Sequence, residues 1–288
     1  MKIVIIGPTG VGKTSVAYNI CKKFQGEIIS ADSRQVYKYL DIGNNKEIFT
    51  DVKTHLIDVI TPDKIYSAYK FKSSAKKIIV NLQKDNLLPV IVGGTNFYIK
   101  ALVYNLKLSK LKNKNYTGLS NKSIDTLQEI LKTKDYKFYL SLNNSDRNNR
   151  RRLEKYIQSE NLDPIRSYKF DKSFKIIQID FDKTNLFNDI EARTKEMIKR
   201  GLIDECREVL SMGYKETAPA FQMVGYKETI LYIKGDVKTI NELEDLINKD
   251  TYKLVKKQIT FLNSFKEKVI LQKNKVIDYI ERENLTSK

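Results

Sequence analysis

The chain has a single histidine, His55, and only two cysteines, Cys21 and Cys206, in 288 residues. Those three residues cannot build a tetrahedral zinc site without carboxylates. The cysteines fall in separate helix-like segments, so they read as small packing residues rather than a disulfide or redox pair. No apolar run approaches the ~20 residues needed to span a bilayer. The short apolar run in MKIVIIGPTG ends in Gly-Pro with no small-residue cleavage site, which argues against a secretory signal. A cytoplasmic protein with no membrane association is expected, and a monomer is the default. Acidic residues are also in short supply: 35 against 52 basic ones, a formal net charge of +17. That excess favours a polyanionic partner, most simply nucleic acid, although a lysine-rich composition throughout would account for it as well.

What is present is the composition of a soluble globular protein, 41% hydrophobic and 30% charged, long enough for one large domain or two ordinary ones. Short β-branched runs alternate with helical spacing over the first hundred residues, which predicts a parallel α/β sheet flanked by helices. The strand candidates are KIVII (2–6), EIIS (27–30), HLIDV (55–59), LPVIV (88–92) and, much later, FKIIQID (174–180). Residues 107–171 lose the strand signal and turn rich in Lys, Asn and Arg, as in KLSKLKNKNYTGLSNK and NNSDRNNRRRLEKYI. They read as a mainly helical insertion (107–171) in a core made of 1–106 and 172–288. In the long pattern over 239–265, Leu243, Ile247, Leu254, Ile259 and Leu262 can share one side, leaving Lys253, Lys256 and Lys257 solvated.

The stretch Gly7-Pro8-Thr9-Gly10-Val11-Gly12-Lys13-Thr14 fits the phosphate-loop pattern G-x-x-x-x-G-K-[ST], with a buried strand before it and a helix after. Glycines let the backbone curl so that several N–H groups converge on one anion. The helix adds its positive end, Lys13 a full charge, and Thr14 a hydroxyl for Mg²⁺. The pattern does not identify the phosphate. A nucleotide hydrolase carries an apolar strand ending in Asp to orient Mg²⁺, whereas LPVIV runs into Gly93-Gly94-Thr95. FKIIQID does end in Asp180, but only after the insertion.

The segment SADSRQVYKYLDIG (30–43) follows the second strand candidate, so Asp32, Ser33 and Gln35 should face the crevice at the carboxyl ends of the strands. Asp32 could ligate Mg²⁺, act as a general base or cap a helix. Gln35 could pair with an adenine edge or simply be solvated. In DRNNRRRLEKY (146–156), Arg147, Arg150, Arg151, Arg152 and Lys155 crowd one stretch. A run of this kind is commonly a solvated face, or it binds phosphates without reading sequence.

Several of these pieces resemble the tRNA dimethylallyltransferase (tRNA isopentenyltransferase) family: GPTGVGKTSVA (7–17), IISADSRQVYKYLDIGNNK (28–46), HLIDVI (55–60), YSAYKF (66–71), VGGTNFYIKAL (92–102), MVGYKE (223–228) and KKQITF (256–261). They occur in family order over nearly the whole chain. The resemblance implies a phosphate-loop NTPase-like fold and Mg²⁺-dependent transfer of a dimethylallyl group from dimethylallyl diphosphate to N6 of the adenosine 3′ to the anticodon. It implies Asp32 as general base and Lys13 and Thr14 as diphosphate and Mg²⁺ contacts. It also implies tRNA contacts from Ser33, Arg34, Gln35, Thr95, Gln222 and Lys257, and from Arg150, Arg151, Arg152 and Lys155 in an insertion that grips the anticodon stem-loop. The sequence departs from the family where an R-x-x-R pair becomes Arg152 and Lys155, where K-R-Q becomes Lys256-Lys257-Gln258, and where Phe261 replaces a common Trp. Lysine lacks the bidentate fork of arginine.

The chemistry fits those implied roles. An adenine amine is a poor nucleophile, so a positioned carboxylate that takes its proton as the N–C bond forms is useful. Diphosphate leaves well only when its charge is neutralised, and the base must leave the loop stack to reach the site. The competing readings are a phosphate-loop kinase of small molecules or nucleotides, an enzyme that prenylates free adenine nucleotides, and a non-catalytic RNA-binding module.

Overall fold

The computed structural model describes residues 1–108, 118–119, 121–159 and 169–285. Two compact units divide the chain: Met1–Val103 with Asp171–Lys288, and Tyr104–Phe170.

The first unit is built on a six-stranded parallel sheet in the order β3-β2-β4-β1-β5-β6. Its strands are β1 (Lys2–Ile6), β2 (Gly26–Ser30), β3 (Thr54–His55), β4 (Leu88–Val92), β5 (Phe174–Ile179) and β6 (Lys268–Leu271). β1 sits centrally, with Val4 opposite both Ile91 of β4 and Ile176 of β5. Ile3 to Ile6 are all fully buried, as expected for a strand covered on both faces. Strands that precede the second unit in sequence lie on one side of β1, and those that follow it lie on the other. A ligand crevice is expected where the winding reverses, beyond the carboxyl ends.

HLIDV yields only the two-residue β3, because Leu56 (φ 66°) and Asp58 (φ 55°) take left-handed backbone and end the pairing. β6, from KVIL, is not among the strand candidates named from the sequence. It is short and has Ile270 half exposed at the sheet edge.

Helices α1 (Lys13–Phe24), α2 (Ala68–Lys84) and α3 (Asn96–Val103) pack beside these strands. α1 buries Lys13, Val16, Ala17, Ile20 and Cys21, a single stripe at helical spacing. In the second unit, α4 (Ile124–Lys134), α5 (Tyr136–Ser141), α6 (Asn144–Arg147) and α7 (Arg150–Gln158) surround a core of Leu127, Leu131, Phe138, Leu153 and Ile157. The portions of the basic insertion at 109–117, 120 and 160–168 lie outside the described residues. The first unit resumes with α8 (Lys183–Lys199), α9 (Leu202–Ser211), α10 (Tyr226–Ile233), α11 (Ile240–Leu262) and α12 (Val276–Leu285). Thr239 and Glu242 cap α11 reciprocally, each side chain taking the other's backbone N–H. Along α11, Leu243, Ile247 and Leu262 are buried, but Val255 and Gln258 join them while Leu254 turns toward the cavity described below.

Both cysteines are buried free thiols that burial pushes up to about 12, consistent with packing residues. Among the described residues no helix is long and apolar enough to cross a membrane, and no cluster of His, Cys, Asp and Glu could hold a metal.

Candidate functional site

The loops at the carboxyl ends of β1, β2 and β4 enclose a cavity of about 260 Å³. Its first wall is the phosphate loop. Gly12 caps α1 in left-handed backbone (φ 75°), a conformation an L side chain resists. Thr9, Gly10, Gly12, Lys13 and Thr14 line the cavity. Gly7, Pro8 and Val11 support it from behind: Val11 is buried in the core, and Pro8 accepts a 2.7 Å hydrogen bond from Lys13 Nζ. Burial pulls the Lys13 ammonium down to about 8, an effect Asp32 opposes and Arg193 reinforces. Bringing a polyanion into the loop would reverse that shift.

The second wall comes from the exits of β2 and β4. Ala31 donates to Val92 O at 2.7 Å, and Thr95 N donates back to Ala31 O at 3.1 Å. This close approach requires Gly93, where a Cβ would lie 2.3 Å from the Ala31 carbonyl. The result is an oriented Asp32: its Oδ1 accepts from Arg34 N at 2.9 Å and its Oδ2 from Gly94 N at 3.3 Å. Thr95 Oγ1 accepts from Ser33 N and donates to Ser33 Oγ. The Gln35 amide is held at both ends, accepting from Ser30 Oγ at 2.8 Å and pointing its nitrogen at the carbonyls of Asn44 and Asn45.

Gln258, from α11, ties the two walls together. Its Oε1 accepts from Thr9 N at 2.9 Å, and its Nε2 donates to Gly94 O at 3.0 Å. The neighbouring Lys257 is exposed. Arg193, from α8, reaches the same cavity, where burial pulls its guanidinium down to about 10. Arg34 adds to that shift while Asp32 and Glu47 oppose it. Arg193 therefore stays charged near neutral pH, a second cation beside Lys13.

Asp32, Ser33, Arg34, Gln35 and Thr95 thus share one cavity with Lys13 and Thr14. Gln222 does not line it; it is exposed on a short turn and donates to Glu216 O. Asp180 is exposed past β5 and is likewise absent from the cavity wall, its carboxylate accepting from Phe181 N. The local sequence around Arg193, EARTKEM, carries no signal of a site.

In the second unit, Arg147 donates to Leu140 O and lies over the Tyr139 ring. Arg150 donates to backbone carbonyls of Leu119 and Lys122, and Arg152 pairs with Asp146. Of the five basic residues between 147 and 155, these three make contacts that hold the unit together. Arg151 and Lys155 are exposed on α7.

The family model for IPP transferase matches residues 35–265. A tRNA dimethylallyltransferase of Clostridioides difficile is 33% identical, covering 97% of this chain and 97% of the relative. That of Thermosipho melanesiensis is 37% identical over 93% of this chain and 92% of its own. The crystal structure of a tRNA isopentenylpyrophosphate transferase from Staphylococcus epidermidis superposes with a TM-score of 0.73 at 29% identity, covering 99% of both chains. The chain belongs to the IPP transferase family.

Proposed function

We propose that the chain transfers a dimethylallyl group from dimethylallyl diphosphate to the exocyclic amine of the adenosine 3′ to the anticodon in tRNA, releasing diphosphate. The single observation that carries this reading is the placement of Asp32. Two backbone amides aim it into the cavity that the phosphate loop and Arg193 also line. In the transfer, the N6–C1 bond forms as the C1–O bond breaks, and Asp32 takes the proton that N6 gives up. The departing diphosphate lies on the loop amides, with Lys13 and Arg193 neutralising the charge it gains.

Mg²⁺ fits this arrangement. Thr14 lines the anion end, and a diphosphate would supply further oxygens, in keeping with the habit of Mg²⁺ of binding through few protein groups. When bound, it would neutralise the leaving group. Glu47 is the other carboxylate on the wall, but Asp180, just past β5, does not line it. The cavity therefore lacks the strand-terminal Asp that orients Mg²⁺ in a nucleotide hydrolase, which disfavours phosphoryl transfer from ATP. Arg151 and Lys155 would hold RNA phosphates, and action on tRNA implies work in the cytoplasm.

The test is incubation of the purified chain with dimethylallyl diphosphate, Mg²⁺ and unmodified tRNA, followed by mass spectrometry of the nucleosides. One dimethylallyl group gained on adenosine in tRNA, with none gained on AMP, is expected. Equal activity on AMP would favour a free-nucleotide prenyltransferase. Phosphate transfer from ATP to a small acceptor would favour a kinase.

A further inference from the structure

Arg34, Gln35, Asn44 and Asn45 line the cavity from one continuous segment that has almost no regular structure. Two non-glycine residues of that segment, Tyr39 (φ 68°) and Asn45 (φ 46°), take left-handed backbone. L side chains resist that conformation, and it persists only where the surroundings impose it.

What imposes it here is Glu205, on α9, which does not itself line the cavity. Its Oε2 accepts from Asp41 N at 2.6 Å and from Ile42 N at 2.8 Å, and its Oε1 from Gly43 N at 3.3 Å. Consecutive backbone amides that converge in this way make a nest of the kind that binds anionic ligands. In this chain the anion is a side chain of the protein. Tyr226, the fully buried first residue of α10, braces the contact: its hydroxyl donates to Glu205 Oε1 at 2.6 Å and accepts from Gly43 N at 3.0 Å. The approach requires glycine, since a Cβ on Gly43 would lie 2.5 Å from the Tyr226 ring.

The clamp reaches the cavity within two residues. Directly after the nest, the Asn44 and Asn45 carbonyls hold the Gln35 amide, and Asn44 Nδ2 donates to Arg34 O at 3.0 Å. Arg34 Nη2 in turn donates to Val224 O, just ahead of α10. None of these bonds involves the phosphate loop, whose Lys13 is held by Pro8 O. A diphosphate takes up the loop amides, so the acceptor nucleotide is left the walls that the loop does not supply.

We infer that Glu205 is a positioning residue: by filling the nest at residues 41–43, with Tyr226 as its brace, it fixes the wall of residues 34–45 against which the acceptor nucleotide lies. This inference rests on the transfer reading above. It separates the two substrates, because loosening that wall misplaces the acceptor and leaves the anion end as it was.

The experiment makes two measurements on the full chain and its Glu205→Gln and Tyr226→Phe variants. One is steady-state prenyl transfer to unmodified tRNA; the other is calorimetric binding of inorganic diphosphate with Mg²⁺. Glu205→Gln keeps the side-chain size but loses the charge and turns one acceptor into a donor facing backbone N–H groups. Its kcat/KM for tRNA should fall roughly 10- to 100-fold, the cost of a small misplacement at the reacting atoms, while its Kd for diphosphate stays unchanged. Tyr226→Phe removes the brace alone and should show a smaller loss of the same kind.

An unchanged kcat/KM in Glu205→Gln would overturn the inference. So would diphosphate binding that weakens in step with the lost transfer, because a merely structural role strikes both substrates. Should Glu205→Gln fail to fold, an unchanged kcat/KM in Tyr226→Phe overturns it instead. A wild-type chain that binds diphosphate but transfers no prenyl group would sink the transfer reading, and this inference with it.

Discussion

In the α/β core, Gln258 crosses 249 positions of chain to reach Thr9, and Asp32 is held by Gly94, 62 positions away. In the Tyr104–Phe170 unit, by contrast, Ser123, Asp135, Asn143 and Asn149 each cap a helix by accepting from the backbone N–H three residues on. The core places its chemistry by long-range tethers, so each site residue depends on the sheet having formed. The smaller unit is specified locally. Its exposed cations sit on short capped helices, where they need little more than charge. A site that moves a proton requires a fixed carboxylate, whereas a grip on phosphates works through screened Coulomb attraction.

Substitutions should separate the two regimes. The largest effect is expected at Asp32: Asp32→Ala should lower turnover by roughly 10²- to 10⁴-fold. Near-normal turnover would remove the proton acceptor from the account.

Gln258→Ala attacks a tether rather than the chemistry. Loss of its bonds to Thr9 and Gly94 leaves buried groups unpaired, and kcat/KM should fall by roughly 10- to 100-fold. A change under twofold would mean that the two walls hold without it.

The third prediction concerns pH. The Lys13 ammonium, held at about 8, loses its charge as pH rises through that value. KM for dimethylallyl diphosphate should be flat below pH 8 and rise about tenfold per pH unit above it. The folded value lies below the ordinary 10.5, so between pH 8 and 10.5 the unfolded chain binds more protons. The contribution of Lys13 to stability therefore increases across that window even as substrate affinity falls. A KM profile flat to pH 9.5 would contradict this.

The smallest effect belongs to the insertion. Arg151→Ala should reduce the slope of log affinity for tRNA against log salt by about 0.7–0.9. An unchanged slope would make Arg151 ordinary solvated surface.

The same contrast explains what could be read from the sequence. β1, β2 and β4 announce themselves because continuous β-branched runs are what a covered parallel strand requires. The phosphate loop is readable because its glycine spacing is the mechanism. β3 was shortened by the left-handed Asp58, whose carboxylate meets the Lys46 ammonium and whose amide donates to Gln35 O, contacts made only after folding. β6 is too short to announce itself. Arg193 was invisible because nothing beside it in sequence distinguishes it from the solvated charges of α8; only packing brings it to the cavity. Gln258 lay in a recognised motif, but its role as a bridge between two loops needed the fold.

The most direct test of the central claim, that the loop holds a departing diphosphate, uses dimethylallyl diphosphate with ¹⁸O at the oxygen bridging C1 and phosphorus. With tRNA as acceptor, the account predicts that all of the label leaves in the diphosphate, because the C1–O bond breaks. Label retained on the prenyl carbon, with phosphorus transferred instead, would contradict it.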